Sequence, residues 1–194
     1  MARKVGLDRR AVIDAAAAVA DSEGLEGLSL ARVASALGVS SPSLYSHVAG
    51  LAALRHELAL EAARQLQEAV REGRAGRVGP DALTGVATAY RRFARQHPGL
   101  YATLHTTPSR GEDPEVHAAF AAVVTEVVAA LAAIGLSPAD PVPLVRTVRS
   151  ALHGFVSLEA SGGFGLPDDV DASFQVLLDV LAAGLLSRAD VSPT

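Results

Sequence analysis

Apolar positions recur with helical spacing along almost the whole chain, and no segment sustains the period-two alternation of a half-buried strand. The pattern predicts an all-α protein of about nine helices. Val12, Ala16, Val19 and Ala20 form the stripe of a first helix, capped by Asp8, stapled across the cap by Leu7 and Val12, and ended by Gly24. Leu30, Val33, Ala34 and Leu37 fall at i, i+3, i+4 and i+7 in a second, short helix. Ser29 stands where a hydroxyl caps it and Gly38 where it closes in the left-handed conformation. Ser41 and Pro42 then restart a helix as a cap followed by a first-turn proline. Leu44 and Val48 share its inner face, which leaves Pro42, Ser43, Ser46 and His47 outside. Two short helices joined by a tight turn are the local grammar of a helix-turn-helix. The second helix of such a unit has the right size to enter the DNA major groove.

Past Gly50, Leu51, Leu54, Leu58, Ala62 and Leu66 mark one long helix reaching about Gly73, on the order of 35 Å at 1.5 Å per residue. Residues 73–80 break the periodicity and read as a loop. Five further helices follow: Asp81–Gln96, stopped by His97-Pro98-Gly99; Leu100–Thr106; Pro114–Ile134 after a loop over Thr107–Asp113; about Pro143–Ala160; and about Val170–Arg188. Residues 118–136 approach membrane-spanning length, but Glu126 near the centre opposes insertion, and a buried core helix is expected. The last helix carries Phe174, Leu177, Leu178, Leu181 and Leu185, a stripe wide enough for two neighbours.

Composition narrows the chemistry. With 194 residues the chain can bury a sizeable core. Its net charge of −4 does not mark a protein basic overall, yet DNA binding needs only a local cationic surface. There is no cysteine, which excludes disulfides, thiol nucleophiles and cysteine-based zinc sites. No apolar signal core follows Arg3-Lys4, so a cytoplasmic protein is expected. There is no His-Glu-x-x-His, no Gly-x-Ser-x-Gly and no histidine pair at i, i+4. No cofactor, metal or catalytic residue is therefore expected.

The run Gly38-Val39-Ser40, then Leu44-Tyr45-x-His47, closely resembles the TetR family of bacterial transcriptional regulators, over residues 7–50. Val48 stands where that family usually has Phe, and Leu51 where it usually has a phosphate-contacting Lys. A weaker resemblance links Leu152-His153-Gly154-Phe155 and the glycine-rich 162–165 to a C-terminal domain type of the family marked by Trp-His-Gly, with Leu152 in place of the Trp. The glycine-rich piece lacks a preceding strand and a Lys-Ser/Thr pair, so it reads as an interhelical loop. The resemblance implies a helix-turn-helix DNA-binding domain over 1–50 and a helical ligand-binding and dimerisation domain over 51–194. It implies a ligand-responsive regulator, expected to act as a repressor: a homodimer on a palindromic operator, released by a small-molecule effector. The alternative is a helical ligand-binding or interaction protein whose helix-turn-helix has weak or lost DNA reading.

Candidate DNA contacts are Arg3 and Lys4 in the N-terminal arm, Arg9 and Arg10 in the first helical turn, and Ser41, Pro42, Ser43, Tyr45, Ser46 and His47. Arg9 and Arg10 oppose the helix dipole; a nearby phosphate explains them, and so does a solvated surface. The resemblance assigns Tyr45 and His47 to phosphates; the other reading packs Tyr45 between helices and leaves His47 on the surface. From Ser40 to Val48 there is no Arg, Lys, Asn or Gln, the side chains that read purine edges bidentately, so hydroxyls, Pro42 or DNA shape must serve. Seven of the eight aromatic residues lie beyond Gly76. Tyr90, Phe93, Tyr101, Phe120 and Phe155, with His105, Arg149 and His153, are candidates to line an effector pocket, or the aromatics are ordinary core. Arg146, Arg149 and His153 share a stripe that faces solvent, a dimer partner or a wet pocket. The resemblance places the dimer interface on the last two helices, where the apolar stripe offers Phe174, Leu177, Leu178, Leu181 and Leu185.

Overall fold

The computed structural model describes residues 7–106, 113–167 and 169–189. Among these residues it is entirely helical, with nine helices: α1 (Arg9–Gly27), α2 (Leu30–Leu37), α3 (Ser41–Leu44), α4 (Leu51–Arg74), α5 (Pro80–Gln96), α6 (Pro98–Thr106), α7 (Pro114–Ala133), α8 (Val142–Ala160) and α9 (Val170–Ala189). The described residues fall into two compact units, one from Met1–Ala63 and Gln96–His117, the other from Arg64–Arg95 and Ala118–Thr194. Compactness thus divides the chain differently from a single cut after Gly50, because α6 packs on α1 and α4 contributes to both units.

In the first unit Asp8 accepts from the Ala11 amide (2.8 Å), and Val12, Ile13, Ala16, Val19 and Ala20 form the inner face of α1. The regular helix breaks at Gly24, at φ 75° and ψ 170°. Ser29 Oγ accepts from the Arg32 amide (3.2 Å). Gly38, at φ 67° and ψ 31°, closes α2, and the Val39 amide returns to the Ala34 carbonyl (3.0 Å), as a left-handed C-cap requires. Val33, Ala34, Leu44 and Val48 are buried together with Leu54 and Leu58 of α4. Val48, smaller than the usual Phe, still fills a core position.

One local boundary differs. Ser40, not Ser41, is the residue before α3, and Pro42 is its second residue. The Ser40 hydroxyl makes no backbone cap; it meets the Ser43 hydroxyl at 2.8 Å. The helix is short, continuing to Val48 through i→i−3 and i→i−4 bonds from Tyr45, His47 and Val48.

Helix α7, which runs from the first unit into the second, departs from the buried core helix expected of it. Among its side chains only Val116, Glu126, Ala130 and Leu131 are buried. Glu126 accepts from Arg74 Nη2 (2.9 Å) and Gln67 Nε2 (3.4 Å), so its burial is compensated. By length and composition α7 and α9 could each cross a membrane, with 22% and 17% of those windows buried in the chain. An alanine-rich helix needs only one covered stripe, and its composition does not say how wide that stripe is.

Candidate nucleic-acid interface

The helix-turn-helix presents one outer surface. Pro42, Tyr45 and Ser46 are exposed, and Ser41, Ser43 and His47 are half-buried. Tyr45 is 62% exposed, which excludes packing between helices. An exposed phenol at the end of a short helix is free to reach a phosphate. The Ser46 hydroxyl donates to the Ser43 carbonyl (2.8 Å), so in this conformation it meets a ligand as an acceptor. Arg3 and Lys4 lie outside the described residues.

Arg9 and Arg10 turn out to be neither free nor merely solvated. Arg9 pairs with Glu57 of α4. Arg10 makes a two-pronged contact with Glu61 (3.0 Å for each arm) and a further pair with Asp14 (2.8 Å). Glu61, then Asp14, hold the Arg10 guanidinium above its ordinary value by hydrogen bonding. These partners offset the unfavourable helix dipole in a first turn that contains no acid. The partnership was partly readable: Arg10–Asp14 is an i, i+4 pair, and Glu57 and Glu61 are also four apart, on one face of a predicted helix.

The pairing extends across the described head. From Leu7 to Ala63 the cations are Arg9, Arg10, Arg32 and Arg55, against Asp8, Asp14, Asp21, Glu23, Glu26, Glu57 and Glu61. Arg32 pairs with Glu23, and Arg55 donates to the Leu25 carbonyl (3.0 Å). Every one of those four arginines therefore has an acceptor inside the head.

The candidate effector residues are distributed over both units. Tyr101 and His105, in the first, stack edge to face at 4.7 Å. In the second unit Tyr90 and Phe93 are buried, Phe120 is half-buried, and Arg146 and Arg149 are exposed. His153 is half-buried, and desolvation, then the Arg149 charge, push its pKa down. Phe155 packs against Phe164 (4.8 Å) and Phe174 (5.0 Å). Sequence reasoning missed the centre of this cluster. Buried Arg91 lies over the rings of Phe155 (5.4 Å) and Phe174 (4.7 Å) and donates to Glu159 (2.6 and 2.8 Å), with Asp171 2.7 Å away. Those bonds hold the Glu159 carboxyl below its usual range. A buried arginine demands acceptors, but nothing in its own helix named them.

The α9 stripe divides in two. Phe174, Leu178 and Leu185 face the chain's own core. Leu177 and Leu181 are half-buried, and Val176, Val180 and Leu186 are exposed. Leu181 and Leu185 also line a cavity of about 290 Å³ between α8 and α9, with Pro143, Leu144, Thr147 and Arg188 around it.

A helix-turn-helix with an exposed outer edge, in a chain that is helical among its described residues, fits a helix-turn-helix DNA-binding regulator. The comparisons name the family. Residues 12–58 match the bacterial regulatory proteins of the tetR family, and residues 83–181 match the tetracyclin repressor-like C-terminal domain. The chain is 35% identical over 190 residues to an HTH-type transcriptional regulator of Mycobacterium tuberculosis, covering 97% of this chain and 86% of that one. It is 33% identical over 187 residues to the HTH-type transcriptional regulator YobS of Bacillus subtilis, covering 96% of both. Among solved structures it resembles a Rhodococcus sp. RHA1 protein of unknown function, with a TM-score of 0.78, 27% identity, and 93% and 96% of the two chains covered. The chain belongs to the TetR family of transcriptional regulators.

Proposed function

We propose that this regulator is a cytoplasmic repressor that binds a palindromic operator as a homodimer and is released by a small-molecule effector. Residues 1–50 would read DNA, and 51–194 would bind the effector and the second copy. The observation that carries the reading is the outer edge of a complete helix-turn-helix, with Tyr45 exposed and His47 half-buried beside it. The apolar outer face of α9 supports dimerisation, and the match of 83–181 to a repressor-like domain supports repression. The effector must bind the DNA-free shape more tightly, since equal affinity shifts nothing. If Tyr90, Phe93, Phe120 and Phe155 line a pocket, with Arg149 and His153 at its edge, they would suit a largely apolar molecule with an acidic end.

Selection from a random duplex library tests the reading. Two recognition helices on one DNA face should return inverted half-sites about one helical turn apart, roughly 34–36 Å, or a multiple of it. Single half-sites would remove the dimer. No enrichment would favour the interaction-protein alternative, which the absence of Arg, Lys, Asn and Gln from Ser40 to Val48 supports.

Roles within the surface are separable. Tyr45→Phe and His47→Ala should weaken binding to selected and scrambled duplexes by similar factors, because phosphate contacts position the protein without reading bases. Ser43→Ala should instead alter preference at particular base pairs, by about 1–3 kcal/mol at most. Gel shifts on a panel of single-base operator variants would show which pattern each substitution follows; a Tyr45→Phe variant with altered preference and undiminished affinity would reverse the assignment.

A further inference from the structure

We infer that Glu57 is an affinity-limiting residue, a fixed carboxylate that neutralises Arg9 at the edge of the DNA-facing surface and keeps the head's hold on duplex DNA weak. This rests on the DNA-binding reading above.

Arg9 is tied to α4, the helix that follows the recognition helix. Its partner Glu57 is six residues into α4, so about 9 Å along the helix axis from Leu51. Leu51 in turn follows His47 by four residues. The Arg9 side chain remains 63% exposed while paired, so its outer side is open to a phosphate.

The pair is not readily exchanged. The Glu57 side chain is only 19% exposed. Abandoning Arg9 would leave a mostly buried carboxylate beside His56, whose Nδ1 lies 3.9 Å from the same oxygen but whose Nε2 is already engaged by Asp113 at 2.5 Å. A phosphate that approaches Arg9 therefore meets a neutral pair and gains little. Arg10 is unlike Arg9 in this respect. Its partner Glu61 is 8% exposed and held by both guanidinium arms, which makes that contact a strut between α1 and α4. The masking belongs to Glu57 in particular, and its effect is to suppress the sequence-independent part of the binding free energy.

The test uses the full-length protein and a fluorescently labelled random-sequence duplex of about 30 base pairs, long enough for two half-sites one turn apart. Binding is followed by anisotropy between about 50 and 200 mM salt. Glu57→Gln should bind about tenfold more tightly at the low-salt end and steepen the log–log slope by about 0.9, the signature of one added phosphate neutralised. Its advantage over the wild type should shrink about 3.5-fold across that salt range. Arg9→Gln should leave the wild-type slope unchanged, and Arg9→Gln in the Glu57→Gln background should cancel the gain. Glu26→Gln makes the same change in net charge elsewhere in the head. An equal gain there, or an unchanged slope in folded Glu57→Gln, overturns the inference while the DNA-binding reading stands. Should Glu57→Gln fail to fold, a shallower slope for Arg9→Gln than for the wild type overturns it equally. A wild type and variant that both ignore the duplex overturn the two together.

Discussion

Val180→Asp is expected to convert the protein to monomers and to abolish operator binding at concentrations where the wild type saturates it. Val176 and Val180 are 61% and 65% exposed, one turn apart on the outer face of α9, with half-buried Leu177 and Leu181 beside them. An apolar helix with two sides needs two neighbours. Phe174, Leu178 and Leu185 already face the chain's own core, so the outer side is the one left for a second copy. A carboxylate placed in that contact is desolvated without a partner, at a cost on the order of 3–5 kcal/mol. Each 1.4 kcal/mol is tenfold, so the dimer should weaken by at least about a hundredfold. On the palindromic operator proposed above, a monomer would hold only half a site. Leu178→Asp supplies the contrast: its side chain is 4% exposed, so it should unfold the second unit rather than free a folded monomer. Sedimentation with circular dichroism distinguishes the two outcomes. A folded, dimeric Val180→Asp would move the interface off this face.

That distinction shows where the sequence ceased to be informative. The elements themselves were legible because their signals are local. Asp8, Ser29 and Gly38 act on amides or carbonyls within five residues, and the ends of α4, α5, α8 and α9 fall within two residues of their expected positions. The outward side of α3 was legible for the same reason, since Leu44 and Val48 fix which side of a short helix is buried. The two faces of α9 were not. Leucine and valine occupy both, so periodicity marks an apolar helix without saying which stripe meets its own chain. The ion pairs were hidden differently. Arg10 and Glu61 are 51 positions apart, and Arg91 and Glu159 are 68 apart. Tertiary packing alone brings such partners together, and an arginine in a sequence does not announce its acceptor.

Gly99→Ala should destabilise the first unit by about 3 kcal/mol or more, although alanine is the better helix former. The α6 start is fully accounted for. Pro98 has no amide hydrogen, the Gly99 and Leu100 amides donate to Asp21 Oδ1 (2.8 and 3.0 Å), and the Tyr101 amide donates to the His97 carbonyl (2.8 Å). The other Asp21 oxygen lies 3.1 Å from His97 Nδ1. This cap holds α6 end-on against α1, so closely that a Cβ on Gly99 would stand 2.1 Å from the Ala20 carbonyl carbon and 2.2 Å from its oxygen. Backbone at a fully buried residue has nowhere to retreat. The methyl therefore separates the helices, costing roughly 1–3 kcal/mol for overpacking. It also strains two hydrogen bonds to a charged acceptor, each contributing about 1.5–3 kcal/mol. Gly154 on α8 provides the opposite case, since a Cβ there meets nothing within 4 Å. Gly154→Ala should gain roughly 0.5–1 kcal/mol from helix propensity alone. Denaturant unfolding of both variants reads the two signs directly. A loss at Gly99 no larger than a few tenths of a kcal/mol would mean that α6 does not sit on α1 as closely as this geometry requires.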